Sequence, residues 1–134
     1  MYFLFRLINH ARMVFSFPLD FTNDIGSHMA QLHFLYKYGF MSTAPNWYNG
    51  YVLFKSYAPG WFLSALPFYS LTHKIELTAY LSLISLFLMA FIVIYFFGAR
   101  FKLSTAKRIA FFLFMFANPI AIGNFIRLGR VTEL

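Results

Sequence analysis

The chain lacks cysteine and has few charged residues. With no cysteine among 134 residues, disulfide bonds and thiolate metal sites are excluded. Only 11% of the residues are charged, whereas soluble domains carry about 25%. The mean hydropathy is +0.64, and 60% of the residues are hydrophobic. The composition therefore indicates a chain whose main solvent is a lipid bilayer.

Acidic residues are the scarcer of the two charged classes. Four Asp and Glu residues stand against eleven Lys and Arg residues, which gives a net charge of +7. The basic residues form no cluster outside the flanks of the predicted membrane segments. A nucleic-acid-binding surface would need such a cluster. We therefore expect the lipid bilayer, and not nucleic acid, as a partner.

Two apolar runs are long enough to cross a membrane as helices. A helix over Ile75–Phe97 would rise about 34 Å, more than the ~30 Å hydrocarbon core of a bilayer. The second run, Ile109–Ile126, contains no charged residue. Asn118 and Pro119 interrupt it, which a membrane helix tolerates where neighbours satisfy the freed carbonyl. The predicted fold class is all-α, with polytopic membrane helices over residues 75–97 and 109–126.

The short loop between these runs, residues 98–108, determines the predicted orientation. It has no acid and four basic residues, Arg100, Lys102, Lys107 and Arg108. Short loops rich in Lys and Arg face the cytoplasm. Phe21–Trp61 and Arg127–Leu134 are then extracytoplasmic in a multi-pass protein of the cell membrane. All four acids fall on that outer side: Asp20, Asp24, Glu76 and Glu133.

Two further apolar segments are harder to place. Trp61–His73 is too short to cross and contains Pro67, which should break it, so we expect an interfacial or re-entrant helix. If this segment crossed, the basic loop would face outward. Residues 1–17 are predicted as the first membrane helix, although a central Arg costs about 2.5–3.5 kcal/mol and Arg6 and Arg12 lie within it. Either this helix begins upstream of the chain, which we favour, or Arg12 faces a bundle interior.

The extracytoplasmic segment 18–74 is predicted to begin with an amphipathic helix over residues 25–38. Good capping residues precede it, namely Thr22, Asn23 and Asp24. Gly39 suits the position after its last turn. One face would lie along the membrane surface, and its members are Ile25, His28, Leu32 and Leu35.

Asp24 and His28 are four residues apart, so one helical turn can place them side by side. A carboxylate at the water boundary can bind Mg²⁺ or Mn²⁺, or act as a general base on an acceptor hydroxyl or amide. His28 would ligate the metal or hydrogen-bond the carboxylate. The structural alternatives are that Asp24 is only a helix cap and that His28 is only a packed side chain.

Other outer residues are candidates for binding a sugar and a lipid phosphate. Aromatic and amide side chains suit sugar rings, and a lysine offsets phosphate charge; the candidates are Tyr48, Asn49, Lys55 and Tyr57. In the tail, Glu133 would converge with Asp24 on one cation, while Arg127 and Arg130 would hold a phosphate or pyrophosphate. The alternative is that the aromatic and basic side chains are interfacial anchors.

The order of these motifs resembles the GT-C superfamily of integral-membrane glycosyltransferases. The motifs are NDIGSH, PNWYNGYVLFKSYAPGW, a basic turn and GRVTEL. The likeness is to archaeal and bacterial multi-pass proteins labelled as related to 6-pyruvoyl-tetrahydropterin synthase, and more distantly to oligosaccharyltransferase catalytic subunits. It implies transfer of a polyprenyl-phosphate-linked sugar outside the cytoplasm. It also implies a catalytic or metal-binding role for Asp24, with His28 beside it and Glu133 as a second acid.

Members of that superfamily have many more membrane helices, so we expect this chain to be an amino-terminal part of such an enzyme. A rival hypothesis is a non-catalytic membrane scaffold, or a degenerate paralogue. A transporter fragment is weaker, because transport sites place polar groups at the membrane midplane, and the runs here offer only Asn118 with Ser and Thr side chains.

Overall fold

The computed structural model describes residues 1–15, 24–47, 49–55 and 58–127, and these residues are mostly helical. The helices are α1 (Tyr2–Phe15), α2 (Ile25–Tyr38), α3 (Gly60–Thr72), α4 (Ile75–Arg100), α5 (Thr105–Phe116) and α6 (Pro119–Ala121), which a π-helical turn, Ile122–Arg127, follows. An antiparallel hairpin of β1 (Thr43–Ala44) and β2 (Tyr51–Val52) separates α2 from α3. The helical fold class is thus confirmed, and the short hairpin is an addition that the sequence analysis did not predict.

The longest helix, α4, extends the predicted apolar run by one turn. Its 26 residues rise about 39 Å. It begins after Lys74, whose backbone is extended, and it ends where Lys102 takes a positive φ of 55°. Among the described residues, α4 is the one helix long and apolar enough to cross a membrane.

The second predicted run is divided at the Asn118–Pro119 step, so it is not one continuous helix. The residue before a proline is disfavoured in the helical region, and Asn118 is extended with ψ of 159°. Its side chain replaces the lost helical hydrogen bonds on both sides. Asn118 Nδ2 donates to the Phe114 carbonyl at 2.8 Å, and Asn118 Oδ1 accepts from the Ala121 N–H at 2.8 Å.

The helix α3 forms as predicted, but Pro67 does not break it. The helix runs through this proline from Gly60 to Thr72. A proline removes the N–H that would bond the carbonyl four residues earlier; here Pro67 and that residue, Leu63, are both exposed. The break comes at His73 instead, where φ is 52° and the N–H donates to the Tyr69 carbonyl at 2.9 Å.

The first helix, α1, packs beside α4 and holds Arg6 at its exposed surface. Arg6 Nε donates to the Tyr2 hydroxyl at 2.9 Å, and the guanidinium lies over the same ring. On the inner side, the Phe3 ring meets the Phe87 ring edge-on at 5.2 Å. The described helix rises about 21 Å, and a membrane crossing by residues 1–17 stays a prediction. The side chain of Arg12 lies outside the described part of the chain.

The core joins α2, the hairpin and α3 to the amino-terminal half of α4. We call residues 25–72, where described, the helix–hairpin–helix unit. Its buried apolar side chains are Met29, Leu32, Leu35, Ala44, Leu53, Phe54, Trp61, Phe62, Ala65 and Tyr69. They form one cluster with Ala79, Leu83, Phe87 and Ile122. The unit is therefore fixed to one end of α4.

One buried hydrogen bond links α3 to α4 directly. The Trp61 indole N–H donates to Ser82 Oγ at 3.1 Å, and Ser82 Oγ donates to the Ala79 carbonyl at 2.9 Å. Ser82 is fully buried. A buried N–H without an acceptor is costly, so this bond fixes the position of α3 along α4.

Replacing Ser82 by Ala should lower the free energy of unfolding by about 1–3 kcal/mol, because the buried Trp61 N–H loses its acceptor. Trp61→Phe should lower the free energy of unfolding less in the Ser82→Ala variant than in the unaltered protein. Chemical unfolding of the detergent-solubilised protein would measure both. Ser85→Ala is the matched control, since Ser85 Oγ bonds only within α4, to the Ser82 carbonyl. Equal losses for Ser82→Ala and Ser85→Ala would contradict the assignment.

Candidate functional site

Asp24 lies at the first boundary of α2, as predicted, but its side chain does not act as a cap. Its backbone has helical angles, φ −96° and ψ −27°, and the carboxylate makes no capping hydrogen bond to the helix. The Asp24 carbonyl accepts from the His28 N–H at 3.0 Å. The residue is half-buried. Asp24 therefore contributes to the first turn of α2 through its backbone carbonyl.

His28 faces the interior of the helix–hairpin–helix unit. It is 3% exposed, and its ring centroid lies 5.8 Å from Trp61 and 5.7 Å from Phe62. This position agrees with the packed-side-chain alternative. Two aromatic rings against its imidazole leave little room for a hydrated cation. A metal-binding role for His28 stays a prediction that its surroundings do not favour.

The predicted metal set is only partly within the described chain. Asp24 and His28 are described, whereas Glu133 lies outside. Among the residues that the structure describes, no three His, Asp or Glu side chains lie together in a way that could hold a metal ion. A fit to Mg²⁺ or Mn²⁺ therefore depends on Asp24 with oxygen ligands from elsewhere in the protein.

The structure describes the side chains of two of the predicted sugar- and phosphate-binding residues, Asn49 and Lys55. Asn49 is exposed in the hairpin loop with φ of 56°, next to Gly50 with φ of 109°. Lys55 is exposed just after β2. Hydrogen bonds within the loop hold its conformation, since the Trp47 carbonyl accepts from the N–H groups of Gly50 and Tyr51. The remaining candidates lie outside the described residues or side chains: Tyr48, Tyr57, Arg127 and Arg130.

A cleft of about 340 Å³ runs between α2, α3 and the start of α4. Its wall on α2 begins at Gly26, two residues after Asp24, and continues to Phe34. Tyr69 lines it from α3, and Glu76 lines it from the first turn of α4. The cleft thus combines a histidine, a phenol and a carboxylate in otherwise apolar walls.

A hydrogen bond across the cleft joins α2 to α3. His33 Nδ1 and the Tyr69 hydroxyl are 2.9 Å apart. The Tyr36 ring lies edge-on to Tyr69 at 5.1 Å. Burial raises the pKa of Tyr69, and the nearby Tyr36 and Glu76 raise it further. Tyr69 therefore keeps its proton in the cleft and can exchange a hydrogen bond with His33 or a ligand hydroxyl.

His33, Tyr69 and Glu76 were not among the predicted site residues. Gly26, Ala30 and His33 have the i, i+4, i+7 spacing of one helix face. This spacing could have indicated that the three residues lie together on α2. The pairing with Tyr69 spans 36 positions and depends on how α3 lies on α2. No local pattern encodes that contact.

Comparison with protein-family models, with curated proteins and with solved structures finds no match to this chain. The geometry of the described residues is therefore the basis for the proposals that follow.

If His28 is a packing residue, its replacement should change stability according to shape. His28→Ala removes a ring from the contact with Trp61 and Phe62 and should cost about 2–4 kcal/mol of unfolding free energy. His28→Phe keeps a ring there and should cost clearly less. Unfolding curves in detergent measure this, with Ser27→Ala at an exposed position of α2 as control. A loss of Mn²⁺ binding in His28→Phe at unchanged stability would contradict the packing role.

Proposed function

We propose that this chain is the amino-terminal part of a multi-pass glycosyltransferase of the GT-C type. The enzyme transfers a sugar from a polyprenyl phosphate to an acceptor on the extracytoplasmic side. The supporting observation is the cleft that begins at Gly26, two residues after Asp24, and is lined by His33, Tyr69 and Glu76. The cleft lies in the unit packed on one end of α4, where a membrane-facing enzyme would place its site.

The charge along α4 supports the proposed orientation. Glu76 occupies the first turn of α4 and Arg100 its last turn, about 36 Å apart along the axis. Lys102, Lys107 and Arg108 follow at the Arg100 end. The positive-inside rule places that end in the cytoplasm, and Asp24 with the helix–hairpin–helix unit outside.

In this proposal Asp24 acts on the acceptor. Its carboxylate takes the proton of an acceptor hydroxyl or amide as the oxygen or nitrogen attacks the sugar. The His33–Tyr69 pair offers hydrogen bonds to sugar hydroxyls in the cleft. Lys55 in the hairpin region, with Arg127 and Arg130 in the tail, would offset phosphate charge. If Asp24 instead binds a metal ion together with Glu133, that Mg²⁺ or Mn²⁺ would supply charge neutralisation for the departing phosphate.

A second candidate function is a non-catalytic scaffold subunit. The observation that favours it is the burial of His28 between Trp61 and Phe62, which gives one of the two predicted polar residues a structural role. Under this alternative, Asp24 and the cleft would bind no sugar donor, and the helix–hairpin–helix unit would serve only to contact other subunits.

Replacing Asp24 by Asn or Ala should reduce sugar transfer by about 10²–10⁴-fold, the usual contribution of a general base. Membrane insertion should be unchanged. The assay follows transfer from a radiolabelled polyprenyl-phosphate sugar in membranes that contain the full-length protein.

Asp20→Asn is the charge-matched control, because it removes the neighbouring acid four residues earlier. It should retain transfer. Normal transfer by the Asp24 variants would remove Asp24 from the mechanism. Absence of transfer by the unaltered protein, together with stable co-purification of a partner subunit, would favour the scaffold.

A further inference from the structure

A second cavity lies at the opposite end of α4, in the angle that α4 makes with α5. It measures about 320 Å³, and its walls are almost wholly apolar. The side chains that define it are Val93, Phe97, Phe101, Leu103 and Phe111. Phe97 and Phe101 are about two-thirds exposed, so the cavity is an open groove. We call it the basic-end groove.

Arg108 forms the polar edge of the basic-end groove and is held in place. Its Nε donates to the Leu103 carbonyl at 2.8 Å, and its guanidinium lies over the Tyr95 ring. Its aliphatic stem crosses Gly98 so closely that a Cβ there would lie 2.9 Å from Arg108 Cγ. The position of Arg108 at the groove wall therefore depends on having glycine at position 98.

Three further cations are neighbours in sequence of the residues that line the groove. Arg100, Lys102 and Lys107 are exposed, and residues 98–108 contain no acid to neutralise them. An apolar groove bordered by exposed cations is complementary to a ligand with a hydrocarbon chain and an anionic head. Clusters of Lys and Arg beside a membrane helix attract anionic lipid headgroups.

We propose that the basic-end groove binds an anionic phospholipid. One acyl chain occupies the groove beside Val93 and Phe97, and the phosphate lies against Lys102 and Lys107. Free phosphate would use the cations but would leave the apolar walls without a ligand. A neutral phospholipid would fill the groove but leave the cations unpaired. This site is independent of sugar transfer and does not require Asp24 or the cleft.

Native mass spectrometry of the detergent-solubilised protein tests the site. The protein is titrated with phosphatidylglycerol and with phosphatidylcholine of identical acyl chains. Phosphatidylglycerol should bind more tightly, and Lys102→Gln and Lys107→Gln should each weaken it about fivefold. The control replaces Lys37 and Lys74 by Gln, because these exposed lysines lie away from the groove; that variant should bind as the unaltered protein does.

A second pair of variants tests the groove itself. Val93→Phe should fill it and weaken phosphatidylglycerol binding, whereas Leu88→Phe should not. Both positions are more than half exposed on α4, but only Val93 lines the groove. Circular dichroism should show equal helix content for all variants that enter the comparison.

Several results would overturn the proposal. Equal affinity for the two lipids would show that the cations do not select the headgroup. Undiminished binding by Val93→Phe would show that no acyl chain enters the groove. Displacement of phosphatidylglycerol by equimolar inorganic phosphate would show an anion site that needs no lipid. A protein that co-purifies on this face and is displaced by neither lipid would assign the surface to that partner.

Discussion

The hydrogen bond from the Trp61 indole to Ser82 Oγ is the contact on which the rest of the described structure depends. It fixes α3 against α4 inside the core, and Trp61 in turn forms part of the wall against which His28 and α2 pack. The position of α2 then determines where Asp24 and Gly26 stand relative to Tyr69 and Glu76. This polar contact is satisfied where water is excluded, and it acts together with the apolar core to hold the walls of the cleft in place.

The molecule is organised along α4 as two chemically different ends. At one end, the helix–hairpin–helix unit surrounds a cleft with an acid, a histidine and a protonated phenol. At the other, a turn without acids borders an apolar groove. The length of α4 separates them by more than the thickness of a bilayer core. The proposed crossing of a membrane by α4 would account for both its exposed apolar middle and the separation of charge.

The features that depend only on neighbouring residues, such as helix ends and long apolar runs, were predicted correctly from the sequence. Gly39 marks the end of α2, and the uninterrupted apolar run marks α4, so both helices form where expected. The hairpin was missed because its two-residue strands show no alternation to detect. Pro67 was wrongly expected to break α3, since the helix continues through it from Gly60 to Thr72. The burial of His28 and the hydrogen bond between His33 and Tyr69 both depend on how α3 packs against α2. No short sequence pattern predicts that packing.

The central claim is that α4 crosses a membrane with Asp24 and the basic turn on opposite sides. The natural lack of cysteine makes this directly measurable. Single cysteines at two exposed serines, Ser27→Cys on α2 and Ser104→Cys before α5, would be treated with a membrane-impermeant maleimide in intact cells. The account predicts labelling at position 27 at once and at position 104 only after permeabilisation. Labelling of both positions in intact cells, or of position 104 alone, would contradict it.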